Sequence, residues 1–158
     1  MRYFVFASEE EYKNLGYLME DNIFSWEKYG IIITGAGYGN IITALRDLPK
    51  DSEIINIGYA GSNNIKKGTL VYVNRSYNYH PKFDCKDPCF TLQYAECDKM
   101  VVPCYSSGDF VLETDIQEPV AFDMELYAIC SLGFKSIGCI KYISDNLCKE
   151  DFEEEMKS

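Results

Sequence analysis

The sequence predicts an α/β layered domain with a mixed, mostly parallel sheet. Three observations carry that expectation. Short apolar runs at residues 3–7, 29–34, 53–58 and 136–143 read as buried strands. Amphipathic or capped stretches separate several of them, and strands alternating with helices favour an α/β arrangement. The β-branched run from Thr69 to Val73, extending toward Tyr79, follows no helix, which makes part of the sheet antiparallel.

Each element has its own justification. After the strand at residues 3–7, Ser8 can cap a helix, and Glu11 three residues on completes a capping box. That helix runs to about Met19, with Tyr12, Leu15, Leu18 and Met19 on one face. Residues 23–26 read as a second short strand. Residues 29–34 contain three consecutive isoleucines, and an unbroken apolar run predicts burial on both faces. Gly35-Ala36-Gly37-Tyr38-Gly39-Asn40 breaks this strand, and a helix from 41 to about 48 stops before Pro49. The strand at 53–58 ends in Gly58-Tyr59-Ala60-Gly61. Residues 81–98, with two prolines and scattered charges, read as loop with at most one short strand. Residues 100–103 are strand-like, 106–109 a turn, and 110–112 extended. A helix starts near Phe122 and ends at Gly133 as its C′ glycine. After the strand at 136–143, a polar helix spans 146–156.

Composition narrows the function classes. The 158 residues fit one domain, 1–158, against roughly 100–200 residues per domain. With 47% hydrophobic and 25% charged residues, the chain is expected to fold around a core. No apolar run approaches the roughly 20 residues of a membrane helix, and the N-terminus turns acidic too early for a signal peptide. A cytoplasmic protein without a membrane partner is the expectation. The net charge is −10, and no Lys/Arg cluster exists to displace counterions from a polyanion, so no nucleic-acid partner is expected. The seven cysteines do not form two tight pairs: Cys85 and Cys89 could be one, but Cys97 and Cys104 make no second. They read as reduced thiols behaving as small hydrophobes.

Ligands of open α/β sheets bind beyond the C-terminal strand ends. Those ends here carry Glu9, Glu10 and Glu11, the glycine loop, Gly58 to Gly61, and Ser144 with Asp145. The spacing Gly35-x-Gly37-x-Gly39 falls short of a dinucleotide fingerprint and reads equally as a tight strand-to-helix turn. No phosphate-binding G-x-x-x-x-G-K-[ST] is present. The single histidine, His80, reads as an ordinary loop residue. The carboxylates have structural readings too. Glu11 can be the capping-box glutamate, Asp145 the N-cap of the last helix, and Glu125 an exposed first-turn carboxylate.

Six segments together resemble the nucleoside phosphorylase/nucleosidase superfamily, most closely the 5′-methylthioadenosine/S-adenosylhomocysteine nucleosidases. They are Ala7-Ser8-Glu9-Glu10-Glu11, Thr34-Gly35-Ala36-Gly37-Tyr38-Gly39-Asn40, Ile55-Asn56-Ile57-Gly58-Tyr59-Ala60-Gly61, Ser107-Gly108-Asp109-Phe110, Phe122-Asp123-Met124-Glu125 and Ile143-Ser144-Asp145. They occur in the family's order. The resemblance implies a three-layer α/β/α, phosphorylase/hydrolase-like fold and a purine nucleosidase acting on an adenosine-type nucleoside. It implies Asp145 as the acid that protonates N7 of the departing purine and Glu11 as the base that activates water. Glu125 would hold the ribose hydroxyls, Met124 would pack against the sugar, and Ser144 would support the acid. Phe110 or Val111 would lie beside the base, and Ala60 and Gly61 would line the floor beside Tyr59. No cofactor and no metal are implied, and the partners expected are a small purine nucleoside and a second copy in a homodimer.

The nucleophile and the departures refine this expectation. Phosphorolysis needs cationic anchors for phosphate; hexameric phosphorylases of the superfamily have an arginine where this chain has Asn56, as the nucleosidases do. Water is therefore the expected nucleophile, with a phosphorylase, or a weak or inactive purine-binding relative, as the alternatives. Tyr59 stands where the nucleosidases usually have serine, and its phenol could fill the space of water or ribose. Lys141 stands where arginine is usual, a change that alters bidentate bonding. The stretch from His80 to Ser107 is short for the family, and a helix is missing there.

Overall fold

The computed structural model describes residues 1–21, 28–80, 85–93 and 100–157. The first elements are β1 (Arg2–Phe6), α1 (Glu9–Leu15), α2 (Leu18–Asp21), β2 (Gly30–Ile33), α3 (Tyr38–Leu45), β3 (Glu53–Gly61) and β4 (Leu70–His80). They are followed by β5 (Cys85–Thr91), β6 (Met100–Ser106), β7 (Ala121–Asp123), α4 (Leu126–Ser131), β8 (Ser136–Asp145) and α5 (Lys149–Met156).

The sheet is mixed, as expected. β1 lies between β2 and β3, parallel to both. β3 runs parallel to β8, β4 parallel to β6, and β6 parallel to β7. β4 is antiparallel to β5 and to β8, and β3 meets β7 antiparallel at Gly61 and Phe122. The sheet is also partly closed. β8 bonds to β3 along one edge and to β4 along the other, so β3, β7, β6, β4 and β8 close into a barrel. A long strand with both edges paired, in a sheet that twists, is what permits closure. β1 and β2 extend from the barrel at β3.

Alternation along β1 sorts the helices. Phe4 and Phe6 pack with Leu15, Leu18, Ile55 and Ile57 under α1. Val5 faces the other way, into a cluster with Ile41, Leu45, Ile54 and Ile129 from α3, β3 and α4. A third cluster joins Val71, Val73, Val102, Leu126 and Ile143.

Several elements differ from expectation. The isoleucine strand is not buried on both faces: Ile31 and Ile33 are 40% and 39% exposed. β2 pairs with β1 alone among the described residues, so only Ile32 faces the helices. The first helix breaks after Leu15, where Gly16 ends α1 and a short α2 follows. Phe122 and Asp123 belong to β7, and α4 starts only at Leu126. Gly133 does take the C′ position with φ 79. Residues 110–112 form no strand, and His80 closes β4 instead of lying in a loop. β5 is the strand within the region read mainly as loop. The strand expected at 23–26 lies outside the described residues.

Candidate active site

Glu11 enters the site because of its position in the first turn of α1. Ser8 caps α1 and accepts the Glu11 N–H at 3.1 Å. The reciprocal half of the capping box is absent. The Glu11 side chain turns inward, where Oε2 accepts the Ala7 N–H at 3.1 Å and Oε1 accepts the Tyr59 N–H at 3.4 Å. A β-carbon on Gly58 would sit 3.1 Å from Glu11 Oε2 and 3.3 Å from Lys141 Nζ. The missing side chain of Gly58 is what lets these two groups approach β3 together.

Lys141 is fully buried, and its ammonium lies 2.9 Å from Asp123 Oδ2 and 3.7 Å from Glu125 Oε2. Burial alone would discharge the lysine, but Asp123 and Glu125 outweigh it and hold its pKa well above the ordinary value. Burial also works against the Asp123 anion. Lys141, the Ser106 hydroxyl and the Leu126 N–H prevail and keep that carboxyl below its ordinary range. The pair is thus an ion pair in the interior.

The other carboxyls respond differently. Burial raises the Glu11 pKa, with Lys141 pulling the other way. Burial lifts Glu125 to about 8, again against Lys141, with the like charges of Asp123 and Glu11 adding to the rise. Glu125 is the residue before α4 and is 8% exposed, so it is not a solvated first-turn carboxylate.

Asp145 ends β8. Its Oδ2 accepts the Ser144 hydroxyl at 2.9 Å and its Oδ1 accepts the Leu147 N–H at 2.9 Å. It does not cap the last helix, whose preceding residue is Cys148. A β-carbon on Gly61 would lie 2.6 Å from Asp145 Oδ1, so glycine is required there by close approach.

These groups share one cavity of about 60 Å³ at the C-terminal ends of β3 and β8. Glu11, Glu125 and Asp145 line it, with Phe110, Val111 and Met124. Tyr59, Ala60 and Gly61 line its β3 side. Ser144 contacts it through Asp145. The expected intrusion of the Tyr59 phenol does not occur. Its ring packs under α1 in the Phe6 and Leu15 cluster, 5.8 Å from the Tyr142 ring, and its hydroxyl accepts the Asn14 amide at 3.0 Å. The Tyr59 backbone N–H donates to Glu11 within the site.

Asp123, Leu147 and Ser106 were not assigned roles from the sequence, and all three matter. Asp123 lies within the segment Phe122-Asp123-Met124-Glu125. A lysine in the apolar run of residues 139–143 was itself a signal, since buried lysines need a partner. Among the described residues no cluster of His, Cys, Asp and Glu has the form of a metal site, and no helix is long and apolar enough to cross a membrane. Cys104, Cys130 and Cys139 are buried free thiols, and burial pushes Cys130 up to about 12.

The sequence matches no protein-family model and no curated protein. Solved structures do match. The nucleosidase MTAN of Chlamydia trachomatis, solved bound to MTA, superposes with a TM-score of 0.77 at 16% identity, over 99% of this chain and 89% of that one. The chain has the fold of the 5′-methylthioadenosine/S-adenosylhomocysteine nucleosidases. The nucleosidase of Neisseria meningitidis, in complex with methylthio-immucillin-A, gives a TM-score of 0.70 at 18% identity, covering 99% and 91% of the two chains. That of S. pneumoniae, with a transition-state inhibitor, gives 0.72 at 18%, covering 99% and 92%. The chain therefore spans most of the length of these nucleosidases.

Proposed function

We propose that the protein hydrolyses the N-ribosidic bond of an adenosine-type purine nucleoside, such as 5′-methylthioadenosine. The observation that carries this reading is the convergence of Glu11, Glu125 and Asp145 on one cavity with an apolar wall. Cleavage passes through an oxocarbenium-like sugar, as in O-glycoside hydrolysis. Asp145, buried at the strand end, delivers a proton to N7 as the N9–C1′ bond breaks and the electron pair leaves with the base. Glu11, as carboxylate, takes a proton from water whose oxygen bonds to C1′. Glu125, largely protonated at neutral pH, bonds the ribose hydroxyls, and Met124 packs on the sugar. Phe110 and Val111 lie along the base.

Water is favoured over phosphate as the nucleophile. Lys141 is neutralised by Asp123, and Asn56 is occupied inside the sheet. Its amide donates to the Val5 carbonyl at 3.1 Å, and its Oδ1 accepts the Cys139 thiol at 3.5 Å. A purine-binding protein without turnover is the second reading, favoured by the small volume of the cavity.

The test is base release from methylthioadenosine, adenosine and inosine, by the protein and by Asp145→Asn. Release from at least one nucleoside, lowered about 10²–10⁴-fold in the variant as for loss of a general acid, supports hydrolysis. Binding of adenine without any release establishes the second reading instead.

A further inference from the structure

Leu147 is the one residue other than glycine with positive φ among the described residues, at 65°. Side chains with a β-carbon rarely adopt this conformation, and such residues cluster where a site requires it. The requirement is visible: the Leu147 N–H donates to Asp145 Oδ1 at 2.9 Å. A backbone N–H is available from any residue but proline, and glycine would adopt this φ at least cost. Holding Asp145 therefore does not explain the leucine side chain.

That side chain does something else. It is 8% exposed and packs with Val111 and Phe122. Its Cδ2 and Asp145 Oδ1 lie 3.1 and 2.6 Å from where a β-carbon on Gly61 would sit. It lines the cavity, whose volume of about 60 Å³ falls well below the roughly 300–1,000 Å³ of small-molecule pockets. We propose that the Leu147 side chain limits how tightly the base end of the cavity holds its ligand. It fills the space beside Asp145, and a fused two-ring base binds only when the side chain moves aside. The identity of the ligand rests on the nucleosidase reading; the placement of Leu147 does not.

The experiment is calorimetric titration of adenine into the protein, Leu147→Ala and Leu147→Gly, with base release from methylthioadenosine measured in parallel. Both variants keep the N–H, and Leu147→Gly also removes the cost of positive φ, which makes it the second test should Leu147→Ala fold poorly. Expected is an adenine Kd lowered about tenfold or more in the variants, the factor that goes with keeping one apolar side chain in its packed place. KM for methylthioadenosine falls in step. An adenine Kd unchanged or raised in the folded variants, or no binding by any of the three proteins, overturns the proposal. Adenine binding that tightens in the variants without any turnover would leave the proposal standing and refute hydrolysis alone.

Discussion

The pKa of Glu125 makes a stability prediction with a definite sign. Its carboxyl is lifted from 4.5 to about 8, chiefly by burial. Between those pH values the folded protein holds a proton that the unfolded chain has released, so stability falls as pH rises through the window. At about 1.4 kcal/mol for each tenfold in proton affinity, the lift corresponds to a loss of about 5 kcal/mol across the window. That figure is a ceiling, because Lys141 lies 3.7 Å away and can shift toward the new charge. Glu125→Gln keeps the shape and cannot ionise, so the variant loses this contribution. Urea denaturation at pH 5, 6, 7 and 8.5 is the assay. The wild-type midpoint is expected to fall relative to the variant by on the order of 1–2 M between the extremes, given m-values of roughly 1–3 kcal/mol/M. Asp123 is common to both proteins and contributes the opposite slope, lost only as pH falls through its depressed pKa. Parallel pH profiles for the two proteins would refute the reasoning, since Glu125 would then titrate as it does in the unfolded chain.

Lys141→Met leaves Asp123 buried without its cation and is expected to destabilise the fold by about 3–5 kcal/mol, read as a lower urea midpoint at pH 7; an unchanged midpoint would count against the interior ion pair. Gly61→Ala would place a β-carbon 2.6 Å from Asp145 Oδ1, so the carboxyl must shift. Base release should fall on the order of 10²-fold, as for a misplacement of about 1 Å, with the circular dichroism spectrum unchanged.

The strand and helix order was legible because burial of a short apolar run leaves a local mark. What covers each face leaves none. Three isoleucines in a row looked doubly buried, yet β2 lies at an edge among the described residues and exposes Ile31 and Ile33. Closure of the barrel depends on Leu70 to Tyr72 pairing with Ile140 to Tyr142, some seventy residues away. No local pattern encodes that register. Strand β7 has three residues, too few for a period to declare itself, and the helix expected from Phe122 absorbed it.

At the site, Glu11 and Asp145 are legible in sequence because their segments stand at expected strand ends, whereas Glu125, placed by its local pattern in a helix, is reached only through the family resemblance. The ionisation of Glu11 and Glu125 is not legible there, because it depends on burial and on Lys141, both products of the fold. The conformation beside Asp145 is the sharpest case. Asparagine tolerates positive φ better than leucine does, so local rules nominate Asn146 for that position. The structure assigns Asn146 elsewhere: its amide donates to the carbonyls of Ser62 and Ile65 at 2.8 and 2.9 Å. The unfavourable φ then passes to Leu147, which alone can send an N–H back to Asp145 while its side chain reaches Val111 and Phe122. A residue chosen for backbone geometry alone would be glycine. The leucine is therefore explained by its side chain, which packs with Val111 and Phe122 and fills the space over Gly61.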